Sequence, residues 1–122
     1  MIPEEQVLEF AGASLQSVWA LEILLTLKRD PAKEWTANDL IRELRSSQVG
    51  VAEALQNLRS AGLVVETNGQ LYRYQPGSAA MDAFVTELVK VYAAKPVAVV
   101  RSIVTSPNRK LQILYDAFRI KE

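Results

Sequence analysis

The sequence predicts a mainly helical α+β domain with one small β-hairpin. Apolar residues recur at helical spacing over most of the chain. An Asn68-Gly69 pair stands between two short strand-prone runs and is the strongest hairpin signal in the sequence. Asp30-Pro31, Ala61-Gly62, Pro76-Gly77 and Ser106-Pro107 punctuate the pattern where loops belong. The 122 residues suit one domain spanning 1–122, and 49% apolar with 23% charged residues is an ordinary globular composition.

Residues 1–13 read as irregular or weakly helical. Ser14 is the expected N-cap of a first helix running through LQSVWALEILLTLKR to Asp30-Pro31, and Lys28 and Arg29 match its C-terminal dipole. Glu22, Thr26 and Arg29 form a narrow polar stripe, so the remainder requires burial on more than one side. This helix is expected at the centre of the domain, or between it and a second subunit. Thr36 caps the next helix, with Asp39 as the reciprocal member of a capping box and Leu40, Ile41 and Leu44 inward. Ser46-Ser47 breaks the pattern and caps a third helix over 47–60. Val51, Ala54, Leu55 and Leu58 are its inward face, and Gly62 suits the left-handed position that ends it.

A two-residue turn at Asn68-Gly69 pairs Thr67 with Gln70, Val65 with Tyr72 and Leu63 with Tyr74. Leu63, Val65, Tyr72 and Tyr74 then share the apolar face of a hairpin over 63–75, and Glu66 and Arg73 share the other. From Ser78 a helix aligns Met81, Phe84, Val85, Leu88 and Tyr92 along one side. Pro96 ends or kinks it. VAVVRSIV then reads as a further helix, although its valines also suit a strand. In the final segment Leu111, Leu114, Tyr115 and Phe118 share one helical face.

The sequence contains no cysteine and no histidine, which excludes disulfides, cysteine-based zinc sites, Cys–His or Ser–His catalysis and an imidazole switch. No metal or cofactor is expected. There is no glycine-rich phosphate loop, and no pair of acids has neighbours suited to acid–base work, so an enzyme is not expected. The start, MIPEEQVLEF, is acidic where a signal peptide is basic, and the apolar stretch Val18 to Leu27 is too short to span a bilayer. A cytoplasmic protein without membrane contact is the expectation. Charge is balanced overall but not evenly placed. In residues 31–75, Lys33, Arg42, Arg45, Arg59 and Arg73 are matched by Glu34, Asp39, Glu43, Glu53 and Glu66. The C-terminal end, with Lys95, Arg101, Arg109, Lys110, Arg119 and Lys121 against Asp116 and Glu122, is basic.

The order helix, short helix, helix, Asn-Gly hairpin over 36–75 resembles the winged helix-turn-helix core of small bacterial transcription regulators such as the MarR and ArsR families. Thr36 to Leu44, then Ser47, Val51, Leu55, Leu58 and the run Arg59-Ser60-Ala61-Gly62-Leu63-Val64 carry the resemblance. The tail Tyr115-Asp116-Ala117-Phe118-Arg119-Ile120 also resembles the end of a group of small bacterial winged-helix proteins, and brings no function with it. The implied layout is a winged-helix core over 14–75, with its wing at 63–75 and a helical packing and dimerisation extension over 78–122.

The resemblance implies that helix 47–60 lies in the major groove of double-stranded DNA. Its expected outward residues are Gln48, Gly50, Glu53, Gln56 and Asn57. The amides would pair with adenine; Glu53 would accept from cytosine or restrain binding. Ser46 and Ser47 would bond phosphate at the helix N-terminus, joined by Arg42, Arg45, Arg59, Arg73 and the wing residue Asn68. Gln56 and Asn57 serve equally as a solvated face, and Tyr72, Tyr74, Trp19 and Trp35 as packing. A reading head of net charge zero binds DNA weakly as a monomer, because phosphate neutralisation supplies most affinity. The expectation is therefore a homodimer on a palindromic site, joined through Met81, Phe84, Leu88, Tyr92, Leu111, Leu114, Tyr115 and Phe118. Trp19, Phe84, Leu88 and Tyr92 would line a ligand pocket if they are not ordinary core. The alternative function is a winged-helix protein-interaction module that does not bind DNA specifically.

Overall fold

A computed structural model describes residues 2–105. The elements run α1 (Glu4–Ser14), α2 (Val18–Arg29), α3 (Ala37–Leu44), α4 (Gln48–Ser60), β1 (Val64–Thr67), β2 (Leu71–Tyr74), α5 (Ala79–Ala94) and α6 (Pro96–Val104). The architecture is mainly helical with a small two-stranded antiparallel sheet, as the α+β expectation has it.

The N-terminal segment is not irregular. Glu4 and Glu5 stand in the first turn of α1, where the helix dipole favours acids. Val7 and Ala11 are fully buried one turn apart. Ser14 does not open the second helix but closes the first. Leu15 turns inward with extended backbone, and Ser17 takes the capping role, its Oγ accepting from Ala20 N at 3.1 Å. α2 is the central helix: Ala20, Leu21, Ile23, Leu24 and Leu27 are fully buried, and it packs on α3, α4, α6 and β2.

The capping box on α3 forms as expected, with Asp39 N donating to Thr36 Oγ1 and Thr36 N to Asp39 Oδ2, both at 3.0 Å. α4 buries Val51, Ala54, Leu55 and Leu58. It ends in paired Schellman bonds, Leu63 N to Leu58 O at 3.0 Å and Gly62 N to Arg59 O at 3.1 Å. Gly62 stands at φ 77, as that ending requires.

The hairpin register differs from the sequence reading. Asn68 and Gly69 both adopt positive φ, and Gln70 N donates to Thr67 O at 3.3 Å, so the turn forms. Gln70 is nevertheless an extra residue in the loop, and the ladder pairs Thr67 with Leu71, Glu66 with Tyr72, Val65 with Arg73 and Val64 with Tyr74. The slip exchanges the faces of β1. The helix ending explains it. Leu63 is consumed by the Schellman turn, fully buried with Leu58, and Val64 takes the first inward position of the strand. A third backbone segment joins the sheet edge, with Trp35 N donating to Tyr72 O at 2.8 Å and Tyr72 N to Trp35 O at 2.7 Å.

Pro96 separates two helices, and VAVVRSIV is helical. α5 and α6 pack on α1, completing one buried cluster from Val7 to Ile103. Tyr74, Lys28 and Asp82 fasten β2, α2 and α5 together. Asp82 Oδ1 accepts from Tyr74 Oη at 2.6 Å and from Lys28 Nζ at 2.9 Å, and Lys28 lies 5.0 Å from the Tyr74 ring centre.

Candidate nucleic-acid interface

The inward stripe of α4 fixes what its opposite face presents: Gln48, Val49, Ala52, Glu53, Gln56 and Ser60 are exposed. Gln48, Glu53 and Gln56 thus point outward as the sequence implied. Val49, at 67% exposure, and its neighbour Ala52 were missed. Their signal was available, since both lie off the 51, 54, 55, 58 stripe.

Asn57 is a correction. It is 7% exposed, and its side chain is spent on the fold. Asn57 Oδ1 accepts from Gln16 N at 2.8 Å, and Nδ2 donates to Ser14 O at 2.9 Å. The amide therefore supports backbone groups of the α1–α2 turn and does not face a ligand. Gly50 is a second correction. A Cβ there would lie 3.1 Å from Ser47 Oγ and 3.2 Å from Ser46 Oγ, so glycine makes room for the serines that begin the helix. Ser47 Oγ accepts from Gly50 N at 3.0 Å as the N-cap. Ser46 Oγ is enclosed and has no hydrogen-bond partner among the described residues.

The arginines are also differently placed. Arg42 pairs with Asp39 at 2.7 Å, and Arg59 with Glu66 at 2.8 Å across the α4–β1 corner. Glu66 and Arg73 do not share a face as expected, because the register slip puts them on opposite sides of the hairpin. Arg73 Nη2 donates instead to Gln75 Oε1 at 2.6 Å, and its Nε is enclosed. Arg45 is exposed in the α3–α4 turn, in left-handed backbone at φ 51, with no ionic partner among the described residues. Asn68 is exposed at the hairpin tip. Thr36 hydrogen bonds, from backbone and side chain, lead the causes that hold the Asp39 carboxyl below its ordinary value.

The α5 residues assigned to a subunit contact are largely occupied within the chain. Leu88 is fully buried, and Phe84 stacks on Phe10 with ring centres 5.0 Å apart. Tyr92 Oη donates to Glu22 Oε1 at 2.8 Å, a bond that raises the tyrosine's pKa. Met81 is half-buried beside Gly62 and Gly77. Trp19, by contrast, is 43% exposed. Leu111, Leu114, Tyr115 and Phe118, with the basic residues Arg109 and Lys110, lie outside the described residues.

Comparison with family models, with curated proteins and with solved structures finds no match to this chain. Among the described residues no group of acids is placed to hold a metal ion, and no single helix is long and apolar enough to cross a membrane.

Proposed function

We propose that the chain is a winged helix-turn-helix DNA-binding regulator, acting without catalysis, that reads the major groove with α4. The observation that carries this reading is the outer face of α4. It presents amides and small apolar groups, Gln48, Val49, Ala52 and Gln56, on a capped helix held rigidly from behind. Glutamine pairs with the adenine edge, and small apolar side chains meet the thymine methyl, so this face is suited to A·T steps. The Trp35 bridge, the α3–α4 pair and the β1–β2 hairpin follow one another in the order of such a domain. With Arg42 and Arg59 paired, Arg45 is the principal cation beside α4 without an ionic partner among the described residues. Two copies on a two-fold symmetric site supply the phosphate contacts that one copy lacks.

The test is selection from a random-sequence DNA pool at low salt, with Gln48→Ala/Gln56→Ala alongside. Asn57 is left intact because it supports the fold. Enrichment of a symmetric, A·T-containing site that the variant loses is the expected result. No enrichment with a folded protein refutes the reading.

The neutral charge of the head and its paired arginines favour a second reading, a protein-binding module. That reading requires a partner whose binding survives raised salt, where DNA binding falls steeply.

A further inference from the structure

We propose that Glu53 selects cytosine, and rejects guanine, at one position in each half of the DNA site. The assignment rests on α4 being the reading helix. Glu53 is exposed on the outer side of α4 and forms no ion pair among the described residues. Its neighbours one helical turn away are Val49, Gly50, Gln56 and Asn57, and none is basic. The nearby arginines Arg42 and Arg59 are paired with Asp39 and Glu66. Glu53 also lines a concave site of about 380 Å³ together with Gln16, Ala52, Gln56, Asn57 and Ser60. No other charged side chain lines that site among the described residues. One wall is fixed, because Gln16 N donates to Asn57 Oδ1 at 2.8 Å. Ala52 contributes only a methyl group, which leaves room for a base edge to approach.

A carboxylate accepts hydrogen bonds and donates none. In the major groove cytosine offers its N4 amino group, a donor with no acceptor beside it on the same base. Guanine offers the acceptors O6 and N7, and thymine the acceptor O4, so both repel a carboxylate. Adenine sets the acceptor N7 beside its N6 donor, a pair that suits the amide of glutamine better than a carboxylate. An unpaired carboxylate close to phosphates lowers affinity for DNA, and the cytosine amino group is the donor that offsets this loss. Gln56 stands three positions further along α4, roughly 4.5 Å along the axis. That is close to one base-pair step of roughly 3.4 Å, so the C·G pair read by Glu53 adjoins the A·T pair read by Gln56.

The test compares the full chain with Glu53→Gln and Glu53→Ala in selection from a random-sequence DNA pool at low salt. Glu53 is exposed, so both variants should fold, which circular dichroism checks. The parent is expected to enrich cytosine at one position per half-site. Exchanging that cytosine for guanine should weaken binding about tenfold in fluorescence anisotropy. Glu53→Gln should move the preference at that position to adenine, and Glu53→Ala should level it, with the other positions unchanged. A carboxylate that only repels phosphate gives a different pattern. Both variants then bind every site more tightly with base preferences unchanged, which overturns the proposal and leaves DNA reading by α4 intact. A folded parent that enriches no site overturns the proposal together with the reading it rests on, and gives this face to a protein partner.

Discussion

Replacing Asn57 with alanine removes both hydrogen bonds that join α4 to the α1–α2 turn, at 2.8 Å from Gln16 N and 2.9 Å to Ser14 O. Each lost partner leaves a partly buried backbone group to find a new one. Such losses cost about 1–1.5 kcal/mol apiece, so the expected destabilisation is about 2–3 kcal/mol. For a chain of this size that lowers Tm by roughly 8–12 °C. Gln56→Ala, on the exposed neighbour, should stay within about 0.5 kcal/mol of the parent. Asn57→Asp keeps an acceptor for Gln16 N but sets a carboxylate oxygen against the Ser14 carbonyl oxygen, so it should be at least as destabilising as Asn57→Ala. Urea and thermal unfolding followed by circular dichroism give all three values. A parent-like stability for Asn57→Ala, coupled with loss of DNA binding, would refute the latch and return Asn57 to the reading face.

Arg45 holds left-handed backbone at φ 51, so Arg45→Gly should raise stability by about 1 kcal/mol in urea titration. The same change should weaken DNA binding and flatten its salt dependence by about one ion per copy, read by fluorescence anisotropy. Gly62→Ala, at φ 77, should instead destabilise by about 1–2 kcal/mol in the same titration. The Tyr74 hydrogen bond, followed by that of Lys28, holds the Asp82 carboxyl below its ordinary value. Its stabilisation is thus present above the unfolded pKa and lost as pH falls through the folded one. Between about pH 5 and 3 the parent should lose more stability than Asp82→Asn. Burial, then Asp82, pushes the Tyr74 hydroxyl upward, so its contribution is present below about pH 10 and lost as pH rises further. Absorbance titration at alkaline pH should show a late-ionising tyrosine that Tyr74→Phe removes.

Local chemistry made much of the fold legible in the sequence. Thr36 with Asp39, Ser47, Gly62 and Ser78 each mark a helix end through a single stereochemical requirement, and each occupies that role. The errors arose where two local signals competed for one residue. Ser14 and Ser17 both suit an N-cap, and only the burial of Val7, Ala11 and Leu15 decides between them. Leu63 suits both a helix ending and a strand, and its use in the first shifts the hairpin by one residue. Asn57 reads as outward because it is polar. Its partners are backbone groups more than forty positions away, which no window of sequence brings together. The outward face of α4 was legible but its charge pairing was not, because the ion pair of Arg59 with Glu66 depends on a register the sequence did not reveal.

The Asn57 latch also has a mechanical consequence. It ties α4 near its C-terminal end to the corner between α1 and α2, while buried Val51, Ala54 and Leu55 seat the rest of the helix. Gln48 stands nine positions from that fulcrum, roughly 13 Å along the axis. A 10° tilt of α4 about that point would move Gln48 by about 2 Å. α1 packs on α5 and α6, so the corner that Asn57 supports is tied through α1 to those helices as well as to α4.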